Sequence, residues 1–148
     1  MKKNFIKRIF KCHSGFLLDI VADVESYSEF LPLCKKVEIL DNWTESSVKK
    51  FRASVLIEYK FFKERFISEV TVDKVKSKIT IKSSDNPFKA LNSEWVFEQI
   101  EDDCLVSFFL DTTFKSFVIQ KIISLSFDRI AEKVMNAFEE RATLLRLK

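Results

Sequence analysis

A chain of 148 residues with 47% hydrophobic and 32% charged side chains has the makings of a single folded domain, and excludes a disordered tail or a membrane span. Basic residues outnumber acidic ones by 25 to 22, and a net charge of +3 is too mild to imply nucleic acid by itself. One glycine rules out a glycine-rich phosphate cradle, and Cys12, Cys34 and Cys104, far apart with only His13 to help, fit neither a zinc site nor a disulfide framework. Reduced thiols in a cytosol-like compartment are the simplest account.

Residues 4–12 alternate, with Phe5, Lys7, Ile9 and Lys11 on one side and Ile6, Arg8 and Phe10 on the other; this fits a strand or a basic amphipathic helix turn, and the helix that follows makes a first strand the more economical start. Ser14 is placed to cap a helix in which Phe16, Ile20 and Val24 recur at helical spacing, with Leu17 and Val21 beside them. Asp19 and Asp23 interrupt the apolar run, so it is not a secretory signal. Residues 26–33 read as a second short helix, stopped by Pro32.

From there the period changes to two. Residues 35–43 and 47–58 flank a turn at 42–46, with Phe51, Ala53, Val55 and Ile57 on one face of the second of them. Residues 62–73 place Phe62, Phe66, Ser68, Val70 and Val72 on one side; 78–83 set Ile79 with Ile81. Asp85-Asn86-Pro87 marks a turn before the strand of Trp95 and Phe97, and a further turn near Glu101 precedes the strand of Val106, Phe108, Leu110, Thr112 and Phe114. The connections are too short for crossover helices, so the sheet is expected to be antiparallel.

Beyond Ser116 the period becomes helical to the end. Ile119, Ile123, Phe127, Ile130, Val134, Phe138 and Leu145 make one stripe, opposite Lys121, Asp128, Glu132, Asn136 and Glu139. A long helix laid across the concave face of a curved sheet buries both apolar surfaces together. The expectation is therefore an α+β helix-grip fold, with about seven antiparallel strands around the C-terminal helix and two short helices after the first strand.

The stretch VADVESYSEFLPLCKKVEI, with Asp23, Tyr27, Glu29, Phe30, Leu31, Pro32 and Cys34, resembles the N-terminal signature of the coenzyme Q-binding START-like proteins, within the polyketide cyclase/dehydrase superfamily. Ser28 departs from it, since the family usually has proline there. A second block, NPFKALNSEWVFEQIEDDCLVSFFLDTTFKS, and the closing FDRIAEKVMNAFEERA continue the likeness over almost the whole chain. The resemblance implies one START-like domain over residues 1–148 that binds ubiquinone or a related prenyl lipid in an apolar cavity. It also implies a carrier or chaperone for respiration and quinone synthesis, not an enzyme, in the cytoplasm and peripheral at the inner membrane. A bacterial ribosome-association toxin resembles the chain about equally well and implies the alternative, an interaction protein that binds the ribosome through a basic surface. A polyketide aromatase or cyclase comes with the superfamily, but no acid–base pair supports it.

Under the lipid reading the expected cavity wall is Phe62, Phe66 and Val70, then Trp95 and Phe97, then Phe108 and Leu110, closed by Phe127, Ile130, Val134 and Phe138 of the helix. Lys2, Lys3, Lys7, Arg8 and Lys11, a cluster without an acid, are a solvated strand end or a contact for anionic membrane or RNA phosphate. No resident cofactor, metal or DNA partner is expected. His13, just before a helix, has no catalytic partner, and Glu64, on the inner side of its strand, is accounted for by a wet rim.

Overall fold

The computed structural model describes residues 2–146, and the side chains of residues 4–146. The chain runs β1 (Lys2–Phe10), α1 (Ser14–Ala22), a 3₁₀ segment (Val24–Glu29), β2 (Cys34–Glu45), β3 (Val48–Tyr59), β4 (Phe62–Asp73), β5 (Lys78–Ser83), β6 (Phe88–Ile100), β7 (Asp103–Phe114) and α2 (Phe117–Arg146). The seven strands form one sheet in the order β1-β7-β6-β5-β4-β3-β2, and each neighbouring pair is antiparallel. This is the helix-grip arrangement expected from the change of period at residue 115. No helix among the described residues is long and apolar enough to cross a membrane.

Two local expectations need correction. The cap of α1 is His13, whose Nδ1 accepts from the Gly15 amide at 3.0 Å, and Ser14 is already the first helical residue. Capping also accounts for the lone histidine. The segment expected as a second helix over 26–33 is a 3₁₀ turn two residues earlier, and the chain is out of helix well before Pro32. Leu33 then adopts a left-handed φ of 75°, which turns the chain into β2.

The hairpins are tight although the sequence has almost no glycine. Glu45 pairs with Val48 across Ser46 and Ser47, at φ 46° and 70°, and Tyr59 pairs with Phe62 across Lys60, at φ 57°, and Phe61. Positive φ over the turn matches the right-handed twist of the strands, which is why short hairpins need it. Short turns join β2 to β7 one after another, and breaks of register after Cys34, Ile39 and Phe88 bend the sheet.

Inside the curl the packing is uneven. At one end, under α1 and the C-terminal half of α2, Phe51, Val72, Ile79, Trp95, Phe97, Val106, Met135 and Phe138 form a dense core. Trp95 stacks with Phe97 at 6.2 Å and meets Phe138 edge-on at 5.4 Å. The helix line buried here includes Ala131, Met135 and Ala142, displaced around the helix from the sequence stripe, because alanine lets the backbone approach the sheet closely. At the other end, under the N-terminal half of α2, only Phe127 is fully buried, and Ile119, Ile123 and Ile130 are half-buried. That end is hollow.

Candidate functional site

Two adjoining apolar cavities lie inside the curl, one under the 3₁₀ segment beside the dense core and one at the hollow end under α2. The first, about 200 Å³, is walled by Ala53 and Val55 of β3, Phe66, Ser68 and Val70 of β4 and Ile81 of β5, with Val24 and Tyr27 of the 3₁₀ segment over it. The second, about 170 Å³, lies toward the β3–β4 hairpin between Ile57, Tyr59, Phe62 and Phe114 on the sheet and Ile123 and Ile130 on α2. Leu91 of β6 and Leu110 of β7 line both. Each cavity alone is below the ~300 Å³ at which ligand pockets begin, and only their combined volume exceeds it.

The walls follow from strand period. Inner positions of β3 run Phe51, Ala53, Val55, Ile57, Tyr59, and those of β4 run Phe62, Phe66, Ser68, Val70, Val72. Where small residues, Ala53, Ser68 and Ser93, stand at inner positions the sheet cannot reach its cover, and a cavity results. Where aromatic rings stand together, as at Phe62, Phe66, Phe88 and Phe114, they close on each other. Phe66 and Phe88 meet edge-on at 4.9 Å, and Phe88 lies 4.8 Å from Phe114.

The roof over the first cavity is held firmly. The Tyr27 hydroxyl donates to the Val21 carbonyl, and its ring meets Phe30 and Phe138 edge-on at 6.2 and 5.6 Å. Burial raises the phenol above its ordinary range, so it stays a neutral donor. The second cavity is closed by the start of α2. The Ser116 hydroxyl accepts from the Ile119 amide at 3.2 Å, and Gln120 accepts from the Phe114 amide at 2.7 Å, fastening the first turn to the end of β7.

Of the wall residues expected from sequence, Phe66, Val70 and Leu110 line the first cavity, and Phe62, Leu110 and Ile130 the second. Trp95, Phe97 and Phe138 lie in the dense core, with Phe108 and Val134 packed against it. Phe127 is buried under the middle of α2 and lines neither cavity. Sequence reasoning missed Tyr27, Ala53, Val55, Leu91 and Ser93 by seeking aromatic rings, although β3 and β6 alternate legibly. Glu64 is half-buried on the inner side of β4 opposite Ile57.

The basic N-terminal residues divide. Arg8 donates to Asn136 of α2 at 2.8 Å and lies 3.9 Å from Glu139, and Lys11 pairs with Asp103 at 3.0 Å. Both are engaged within the molecule. Lys7 is exposed, over the Phe5 ring, and the side chains of Lys2 and Lys3 lie outside the described residues.

A sheet closed by one long helix around apolar space is the architecture of a known group. The profile described as polyketide cyclase / dehydrase and lipid transport matches residues 16–139. The chain belongs to this family. Among its relatives, the mitochondrial coenzyme Q-binding protein COQ10 homolog B of Xenopus laevis is 29% identical over 132 residues, 85% of this chain and 52% of that protein. The chain thus spans about half the length of that relative. The ribosome association toxin RatA of Rickettsia prowazekii is 28% identical over 126 residues, 85% of this chain and 86% of that one. The solution structure of an 18 kDa protein of Caulobacter crescentus superposes with a TM-score of 0.85 at 26% identity over 100% of both chains.

Proposed function

We propose that this protein binds ubiquinone or a related prenyl lipid in the apolar space under α2 and carries it, without chemical change, between the membrane and quinone-using or quinone-making enzymes. The observation that carries the reading is the pair of cavities, almost wholly apolar, that share Leu91 and Leu110 in their walls. The family's lipid-transport description and the coenzyme Q-binding relative support it. Moving a prenyl tail from water into such a space gains ~0.8 kcal/mol per methylene, and from a bilayer almost nothing, because the tail is already dry. Uptake and release are then close to balanced, which suits a carrier working from the cytoplasmic side, peripheral at the inner membrane. Mass spectrometry of the organic extract of protein purified without detergent tests this. A stoichiometric prenyl quinone or its precursor is expected, and protein that carries none and accepts none from quinone-loaded vesicles overturns it.

One observation favours a second reading. The ribosome association toxin matches this chain over nearly its own full length. Under that reading the protein sediments with a ribosomal subunit at low salt, slows translation when overproduced, and does so irrespective of cavity substitutions, because phosphate contacts supply its salt-sensitive affinity.

A further inference from the structure

Four of the five most exposed apolar side chains fall in two places, the fifth being Val75 in the β4–β5 turn at 88%. Phe61 is 79% exposed at the tip of the β3–β4 hairpin, and Phe117, Val118 and Leu125 are 80%, 62% and 80% exposed in the first half of α2. Val118, Ile122 and Leu125 follow each other at helical spacing along one flank of α2, and Arg129 continues the line. Lys60 at the hairpin tip sits over the Tyr59 ring, 5.3 Å from its centroid. The hairpin tip and the start of α2 share one rim. Tyr59 and Ile123, just behind it, line the second cavity.

The charge on this surface is mostly positive, with Asp128 beside Arg129 the acid on the helix and Glu58 and Glu64 flanking the hairpin tip. From Thr112 to Phe127 the sequence contains Lys115 and Lys121 and no acidic residue, and the hairpin tip adds Lys60. Lys60, Lys115, Lys121 and Arg129 are exposed, and none makes an ion pair among the described residues. Exposed rings and aliphatic tips ringed by cations match the headgroup–acyl boundary of an anionic bilayer, where apolar tips insert and ammonium groups meet phosphates. An RNA surface would use the cations and stack bases on the rings, but it gains nothing from the aliphatic Val118 and Leu125 standing out beside them.

We infer that the hairpin tip at Lys60 and Phe61, together with the Phe117–Leu125 flank of α2, is the surface on which the protein docks to an anionic phospholipid bilayer, with the second cavity opening toward the lipid. This rests on the carrier reading for its purpose, and it places the contact away from the N-terminal strand, where Arg8 and Lys11 are engaged in internal pairs. A lipid passing between bilayer and cavity then moves past Tyr59 and Ile123 without crossing water.

Co-sedimentation with vesicles of phosphatidylcholine and phosphatidylglycerol, compared with phosphatidylcholine alone, is the test. The wild-type chain is expected to bind the anionic vesicles, and a Phe61→Ser/Leu125→Ser variant to bind them at least tenfold more weakly. A Lys60→Glu/Lys121→Glu variant is expected to lose the preference for anionic lipid, while Lys7→Glu changes it little. All these positions are exposed, and an unchanged circular dichroism spectrum and melting temperature certify the fold. Unaltered binding by the Phe61/Leu125 variant, or loss in Lys7→Glu alone, overturns the proposed surface, as does a wild-type chain that binds neither vesicle. Uptake of detergent-dispersed quinone, measured in parallel, keeps the two readings apart. Docking that behaves as expected with no quinone uptake sinks the carrier reading and leaves the surface standing. Normal uptake from detergent with no vesicle binding does the reverse.

Discussion

Substituting Ala53→Leu tests whether the first cavity is working space or only imperfect packing. Ala53 is 1% exposed, faces inward from β3 opposite Ser68, and lines the cavity of about 200 Å³. Leucine adds three carbons, which at ~0.8 kcal/mol each stabilise the fold by about 2 kcal/mol when fully dry. Strain from an imperfect fit offsets about 1–3 kcal/mol of that. The net change is expected to lie within about 1 kcal/mol, a melting shift of no more than about 4 °C for a domain of this size. The lipid is affected differently. Excluding even two methylenes of a ligand from dry space removes about 1.6 kcal/mol, more than tenfold in affinity. Thermal unfolding and the prenyl-lipid content of detergent-free protein, measured on the same preparation, separate the two effects. A folded Ala53→Leu variant that retains its full lipid complement refutes the assignment of this cavity to ligand.

Phe138→Ala, in the dense core at 1% exposure, is expected to destabilise by about 3–5 kcal/mol in urea titration, far more than any cavity substitution. Ser47→Gly relieves a left-handed serine at φ 70° and is expected to raise stability by about 0.5 kcal/mol, seen as a small upward shift of the melting temperature. Burial pushes the Cys34 and Cys104 thiols up to about 11. Unfolded thiols ionise near ~8.5, so their contribution to stability is full below that pH and is lost as pH rises toward 11; urea midpoints measured from pH 7.5 to 10.5 are expected to fall, and a rise contradicts the assignment. For the same reason Cys104 is expected to take no alkylating label at pH 8 until denaturant is added.

Much of this architecture is local information. Period two in β3, β4 and β7, period 3.6 after Ser116, and turn residues between them determine the elements, because each pattern buries one face only in one conformation. The antiparallel order follows from connections too short to cross over. Helix caps were less legible: His13 and Ser14 are both adjacent to the first turn, and only the backbone at His13, extended at ψ 142°, decides between them. The 3₁₀ segment similarly depends on Tyr27 finding Phe138 and the Val21 carbonyl, contacts far apart in sequence or hidden in the fold.

The cavity was legible only as a face, not as a place. Sequence determined that Phe62, Phe66, Trp95, Phe97, Leu110 and Phe138 point inward, but inward side chains become core or wall according to what stands across from them. Tertiary structure decided that Trp95, Phe97 and Phe138 fill one end, because Ala131 and Ala142 bring α2 close there. It decided equally that space stays open beneath the 3₁₀ segment, because Ala53, Ser68 and Ser93 are too short to meet Val24 and Tyr27 above them. The basic N-terminus shows the same limit. Its charge is evident in the sequence, yet whether a cation faces solvent or an acid depends on which residues the fold brings beside it, and for Arg8 and Lys11 it brought Glu139 and Asp103.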